Sequence, residues 1–381
     1  MQLQLPEPSP EALAASSALQ QVVATEIRQA GGWISFARYM ELALYAPGLG
    51  YYSGGAAKLG KDGDFTTAPE ITPLFGKTLA NLAAGLMAQS VPHLMEFGAG
   101  TGRLAFDILT ELKAQGVAVA SYAIVELSGE LRGRQRDLLR DFPEVQWLDS
   151  LPESFSGVVI GNEVLDAMPV ELVVKTADGW AERGLRLDGA RFVYEDRACS
   201  HEVVAQIPDA DLLQEGYLTE THARANAFMR SVGAMLASGG KACAILLDYG
   251  FPAAEYYLAQ RHQGTLMCHY RHHAHPDPLY LPGLQDITSH VDFTAMATSA
   301  IDAGAELMGY TSQAAFLLAA GLGEILMRTA PEEHAAYLRQ SNAVQRLTSP
   351  AEMGELFKVL VVGKGLVLPE VFMRADRSHR L

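Results

Sequence analysis

The chain has 381 residues, with 29 lysines and arginines against 44 aspartates and glutamates, for a formal charge of −15. Its 49% hydrophobic share, with 19% charged residues, excludes a disordered chain, because that much apolar side chain fills a core. So acidic a protein repels phosphate backbones, which argues against nucleic acid as a partner. The length suits about two domains, or one large domain with an insertion. Three scattered cysteines, Cys199, Cys243 and Cys268, form no CxxC pair, which argues against a structural zinc site and for a reducing compartment. With no secretory pattern at the start and no apolar run of about 18 residues, the expectation is a cytoplasmic protein without a membrane span.

In chain order, residues 1–16 are rich in Pro and Ala and are expected to be poorly ordered. Residues 18–45 place apolar side chains at helical spacing, with Gly31-Gly32 dividing them into two helices. A glycine-dense segment follows, running from Pro47-Gly48 to Gly63-Asp64-Phe65, and its composition by itself describes a flexible surface loop. Helical pattern returns at 71–89. From His93 onward strands alternate with helices: strands at 93–97, 121–126, 145–148, 157–160 and 242–247, helices at 104–113 and 130–140. This alternation predicts an α/β, Rossmann-like parallel sheet with helices on both faces. Between the fourth and fifth strands, alternating runs at 171–175, 180–187 and 191–194 are joined by Asp178-Gly179 and Asp188-Gly189, a hairpin signal. They predict an antiparallel meander inserted at about 170–200. Beyond Gly250 the chain is His- and Pro-rich, then largely helical over 293–338, and closes with an apolar strand at 357–362. The organisation expected is an N-terminal helical and lid region (1–90), a core carrying the meander (91–250), and a C-terminal, largely helical region on the substrate side (251–381).

The sharpest local signal is Glu96-Phe97-Gly98-Ala99-Gly100-Thr101-Gly102, where a strand ends and a helix begins. Gly98, Gly100 and Gly102 allow a tight turn and a ligand against bare backbone, and the helix start adds unpaired N–H donors. A dinucleotide fingerprint requires a third glycine where this chain has Arg103, whose length would obstruct close packing. Glu96 sits awkwardly beside a pyrophosphate but suits a cation. S-adenosylmethionine, with its ammonium and sulfonium, is the cofactor that this acidic GxGxG pattern predicts. Glu126, at the end of the second strand, can accept hydrogen bonds from both ribose hydroxyls. Asp149, after the third strand, either reaches the adenine amino group or caps a turn.

The fourth strand runs into Asn162-Glu163-Val164-Leu165-Asp166-Ala167-Met168-Pro169-Val170, and the fifth ends in Asp248-Tyr249-Gly250. Ligands bind at the carboxyl edge of such sheets, so Asn162, Glu163, Asp166 and Asp248 are candidates for facing the transferred methyl group. Carboxylates there suggest a cationic acceptor, since a guanidinium is a planar fork that matches them. Glu163 is the candidate for the transfer itself, while Asp166 either shares that role or shapes the turn before Pro169. Methyl transfer is a displacement that needs positioning more than proton chemistry.

These segments resemble the MidA-like class I S-adenosylmethionine-dependent methyltransferases, a family that includes the mitochondrial complex I assembly methyltransferase. The resemblance runs over most of the chain: Tyr51-Tyr52, Gly63-Asp64-Phe65-Thr66-Thr67-Ala68-Pro69-Glu70-Ile71, Phe75-Gly76, the 96–102 turn, Val125-Glu126-Leu127-Ser128, the 162–170 segment, Asp248-Tyr249-Gly250, Asp286-Ile287-Thr288 and His290-Val291-Asp292-Phe293. It implies methylation of a protein arginine, giving symmetric dimethylarginine, on a respiratory complex I-type subunit. It also turns the Gly63, Asp64, Phe65 loop into a lid over the cofactor. His290 and Asp292 become candidates for orienting the acceptor or bracing its loop. The mitochondrial relative departs at the turn, where it has Gly-Pro-Gly-Arg-Gly, and carries aromatics in place of Val164-Leu165. Two alternatives are a small-molecule acceptor, and an assembly chaperone that keeps the fold without the chemistry, which intact Glu96, Glu126 and Glu163 disfavour.

Two further clusters read as structural. His269, His272, His273 and His275, with Arg271, suit a polar loop better than a metal site, so no metal is expected. Arg132, Arg136 and Arg140 share a helical face, which reads as solvated.

Overall fold

The computed structural model describes residues 5–54, 66–330 and 333–381. The chain forms two compact units, each assembled from three stretches: Met1–Phe65, Leu165–Asn226 and Phe251–Ala295 in one, Thr66–Val164, Ala227–Gly250 and Met296–Leu381 in the other.

The second unit carries the central sheet. Its strands lie in the order Glu306–Ser312, Phe357–Lys364, Ala242–Phe251, Gly157–Asn162, His93–Phe97, Ser121–Val125 and Val145–Leu148. The last five run parallel, and Phe357–Lys364 runs antiparallel to both its neighbours. The strands at 93–97, 157–162 and 242–251 are apolar on both faces because helices cover both, the condition under which parallel sheets persist. Helices Pro73–Met87 and Arg103–Ala114 bury Leu79, Leu86, Ile108 and Leu112 against strand residues Leu94, Tyr122 and Ile245. Gly76 is what lets these helices approach: a Cβ there would stand 2.6 Å from Asp107 Cβ. The family segment Phe75-Gly76 is therefore a packing device.

After His93–Phe97 the chain steps outward through Ser121–Val125 to Val145–Leu148. It then returns to the opposite side of the first strand at Gly157–Asn162. This reversal opens a crevice at the carboxyl ends of 93–97 and 157–162, the place where open α/β sheets bind ligands.

In the first unit the meander is present, with Glu171–Thr176, Gly179–Asp188 and Arg191–Ala198 pairing antiparallel; Leu218–Thr221 and Ile34–Ser35 extend this sheet. Helices Pro10–Gln29 and Phe36–Tyr45 bury Leu19, Val23, Phe36 and Met40 in a core shared with Leu172 and Leu185. Three sequence expectations are corrected. The helix at the start begins at Pro10, inside the stretch expected to be poorly ordered, because Ser9 Oγ caps it by accepting from Ala12 N–H. The stretch 293–338 is interrupted by the strand Glu306–Ser312. The histidine-rich tract forms an antiparallel hairpin of Met267–Tyr270 with His273–His275, turning at Arg271 and His272 with φ of 46° and 64°.

Candidate active site

The 93–97 strand ends in the glycine turn, and Gly98, Gly100 and Gly102 all take positive φ, 59°, 53° and 86°. L side chains rarely adopt that backbone, so the turn depends on glycine at these positions. Gly102 starts the Arg103–Ala114 helix with no side-chain cap of its own. The Thr101 hydroxyl donates to Glu70 Oε1 at 2.5 Å, tying the turn to residues 66–71 of the family segment. Arg103 Nε pairs with Asp107 Oδ2 at 2.8 Å along its own helix.

Glu96 is buried in the strand just before this turn and accepts the Tyr122 hydroxyl at 2.6 Å. Burial pushes its carboxyl up to about 7, against the pull of the Tyr122 hydrogen bond, and the charge of Glu126 adds to the rise. Glu126 is also buried, with Oε1 accepting from Ser128 N–H at 2.9 Å and Oε2 from Gln135 Nε2 at 3.1 Å. Burial raises its pKa, partly offset by those donors. Asp149, 91% exposed at its side chain, pairs with Arg132 at 2.6 Å.

Arg132 is the residue that sequence reasoning placed wrongly. Its side chain is only 18% exposed, because its Nε donates to the Glu126 carbonyl at 2.7 Å and its Nη2 to the Leu148 carbonyl at 2.7 Å. It thus staples together the carboxyl ends of two neighbouring strands. One arginine among several on a polar helix carries no sequence signal of that task. Arg136 lies over the Trp147 ring at 5.3 Å.

At the end of the fourth strand, Asn162 Nδ2 donates to Glu163 Oε1 at 3.1 Å, while Asn162 Oδ1 is buried with no hydrogen-bond partner. Glu163 holds a φ of 54°, rare for a residue with a Cβ. Its N–H donates to the Leu247 carbonyl at 2.9 Å. Asp248, 1% exposed, accepts from Val164 N–H at 3.1 Å and from Tyr249 N–H at 3.0 Å. Asp248 therefore clamps the turn that follows Glu163.

Asp166, His290 and Asp292 belong to the other unit. Asp166 is buried, and its carbonyl accepts from Ser289 N–H at 3.0 Å. His290 stacks on Phe251 at 5.1 Å, and its N–H donates to Thr265 Oγ1 at 3.0 Å. Asp292 accepts from Ala295 N–H at 3.1 Å. Burial raises its carboxyl to about 6, against the pull of the Ala295 and Thr294 N–H groups and the Tyr257 hydroxyl. Gly63, Asp64 and Phe65 lie outside the described residues.

The cofactor test is chemical. Buried, charge-poor Glu96 and the orphaned acceptor of Asn162 suit a ligand that brings positive charge and N–H donors. Gly98, Gly100 and Gly102 leave the backbone of the turn without side chains at those three positions. S-adenosylmethionine fits this set.

Comparison with known proteins agrees. Residues 74–311 match the family described as "Putative S-adenosyl-L-methionine-dependent methyltransferase", and the chain belongs to that family. It is a methyltransferase whose cofactor is S-adenosylmethionine. A Burkholderia thailandensis protein solved bound to S-adenosyl-homocysteine is 54% identical, with a TM-score of 0.93 over 99% of this chain and 100% of that one. Protein arginine methyltransferase NDUFAF7, mitochondrial, from Mus musculus is 30% identical over 86% of this chain and 80% of its own. The Danio rerio protein of the same name is 29% identical over 87% and 84%.

These relatives overturn the cytoplasmic expectation, since they are named mitochondrial. That expectation rested on cysteine usage, the missing secretory pattern and the missing apolar span, and none of these separates one reducing aqueous compartment from another. No helix among the described residues is long and apolar enough to cross a membrane.

Proposed function

We propose that this methyltransferase acts on an arginine side chain of a protein, giving symmetric dimethylarginine, with a respiratory complex I-type subunit as substrate. The relatives named as protein arginine methyltransferases support this reading. The observation that carries it is the acidic strand end, where Glu163 stands in a left-handed backbone beside the orphaned Asn162 acceptor.

Glu96 and Asn162 hold the amino acid end of the cofactor, Gly98, Gly100 and Gly102 pass it along bare backbone, Glu126 takes the ribose hydroxyls, and Asp149 the adenine amino group. When bound, S-adenosylmethionine supplies an electrophilic methyl carbon on a sulfonium. Glu163 grips the guanidinium and draws positive charge toward one nitrogen, which leaves the other better able to attack. Asp248 fixes the backbone that presents Glu163. In the other unit, Asp292 braces the segment that carries His290.

Peptide mass spectrometry of a deletion strain against its parent tests the substrate. Symmetric dimethylarginine lost from a complex I-type subunit, and restored by the wild-type gene but not by Glu163→Gln, is the expected result. An unchanged methylarginine inventory overturns the reading.

A further inference from the structure

Gln135 has no exposed surface, and it is neither acidic nor part of the glycine turn. Both N–H bonds of its side-chain amide are nonetheless used, and its carbonyl accepts one more. Nε2 donates to the Gly100 carbonyl at 2.9 Å and to Glu126 Oε2 at 3.1 Å, and Oε1 accepts from Trp147 Nε1 at 2.9 Å. An amide has two N–H bonds, and here one goes to the glycine turn and the other to Glu126, while the carbonyl meets Trp147 of the Val145–Leu148 strand. The contact is also steric, since a Cβ at Gly102 would stand 3.3 Å from Gln135 Cγ.

A carboxylate has about four lone-pair directions, two on each oxygen. In Glu126 one on each oxygen is taken, by Ser128 N–H and by Gln135. Both donors come from the Gly129–Leu138 helix and its cap, Ser128. The Leu127 N–H also bonds to this carboxylate, and the acceptor capacity left on its two oxygens suits two hydroxyls on adjacent carbons. Without Gln135, Glu126 could rotate, and the Gly100 carbonyl would lose the anchor that holds the turn at a set distance from the carboxylate.

We propose that Gln135 is a positioning residue for the nucleoside half of the cofactor. It sets the Glu126 carboxylate for a vicinal diol and locks that acid to the glycine turn. The inference rests on the ribose role proposed above for Glu126.

The experiment is calorimetric titration of the full-length protein with S-adenosylhomocysteine and with its 2′-deoxy analogue, in wild type, Gln135→Met and Gln135→Glu. Wild-type binding of the parent ligand with no penalty for the 2′-deoxy analogue would sink the ribose role of Glu126 and leave the cofactor standing. If that penalty exists, Gln135→Met should weaken the parent ligand on the order of tenfold to a hundredfold. The same variant should shrink the penalty, because the hydroxyl then meets an acid already out of place. Gln135→Glu should lose affinity near pH 8 and recover part of it near pH 6, relative to wild type, as the new carboxyl takes up a proton and regains a donor. Folded variants that keep wild-type affinity, or an undiminished 2′-deoxy penalty, overturn the positioning role. Should both variants fail to fold, wild-type NMR decides: the Gln135 amide and Trp147 indole resonances move when the parent ligand is added, and stationary resonances overturn the proposal.

Discussion

Glu163 pays a conformational penalty where it stands: a side chain at φ 54° costs about 1 kcal/mol or more, and glycine would relieve it. Glu163→Gly should therefore hold or raise the denaturation midpoint while abolishing methyl transfer. Chemical denaturation paired with a radiolabelled methyl-transfer assay checks both, and a variant that loses stability and keeps activity would reverse the assignment. Glu96 makes a second prediction. Its carboxyl is held near 7 by burial, so about half is protonated at neutral pH, while a cationic ligand selects the ionised form. Cofactor affinity should weaken about tenfold from pH 8 to pH 6, with proton release on binding. Glu96→Gln should bind weakly and lose that pH profile; a flat wild-type profile would remove Glu96 from cation binding. The same shift has a stability sign. The folded pKa lies above the unfolded one, so the free protein binds the proton more tightly when folded, and Glu96's contribution falls as pH rises from about 4.5 to 7.

The Gly129–Leu138 helix illustrates what an element can hide. Its sequence is strongly polar, and its arginines sit at the spacing of a solvated face. Yet Ser128, Arg132 and Gln135 reach from it into the carboxyl edge of the sheet. Replacing Arg132 with Met leaves the Glu126 and Leu148 carbonyls without their donor, and should cost about 1–3 kcal/mol in urea denaturation. A neutral Arg132→Met would mean that water replaces the guanidinium. In the helix pair Pro73–Met87 and Arg103–Ala114, Gly76→Ala places a Cβ against Asp107 and should cost about 1–3 kcal/mol, read as a lower thermal midpoint. An unchanged midpoint would show that the two helices can part without loss.

For the molecule as a whole, ligand linkage gives the measurement. S-adenosylhomocysteine at about a hundredfold over its Kd should stabilise the folded chain by about 2.7 kcal/mol, and NADH should leave it unchanged. Stabilisation by NADH alone would contradict the acidic crevice. The net charge of −15 is consistent with a small cationic ligand and a basic acceptor, since it favours positive partners over phosphate chains.

Much of this was legible from residue order. The parallel strands read as short apolar runs bounded by glycine and acids, and the meander read from its Asp-Gly turns, because both signals are local. The glycine turn and the strand ends that carry Glu96 and Glu126 were legible for the same reason: a strand end followed by a helix start is a local pattern. The helix at Pro10 could have been read from its Ser9 cap and early proline. The strand Glu306–Ser312 could not, because seven residues between helical stretches become a strand only through pairing with Phe357–Lys364. The tasks of Arg132, Gln135 and Tyr122 were likewise set by the tertiary structure, for each bonds to groups brought near by the sheet rather than by the chain. Sequence by itself determined the fold class and the glycine turn, since these depend on pattern and backbone freedom. Only the fold decided which buried polar groups complete that turn, since a hydrogen bond between distant residues exists only once packing has excluded water from both.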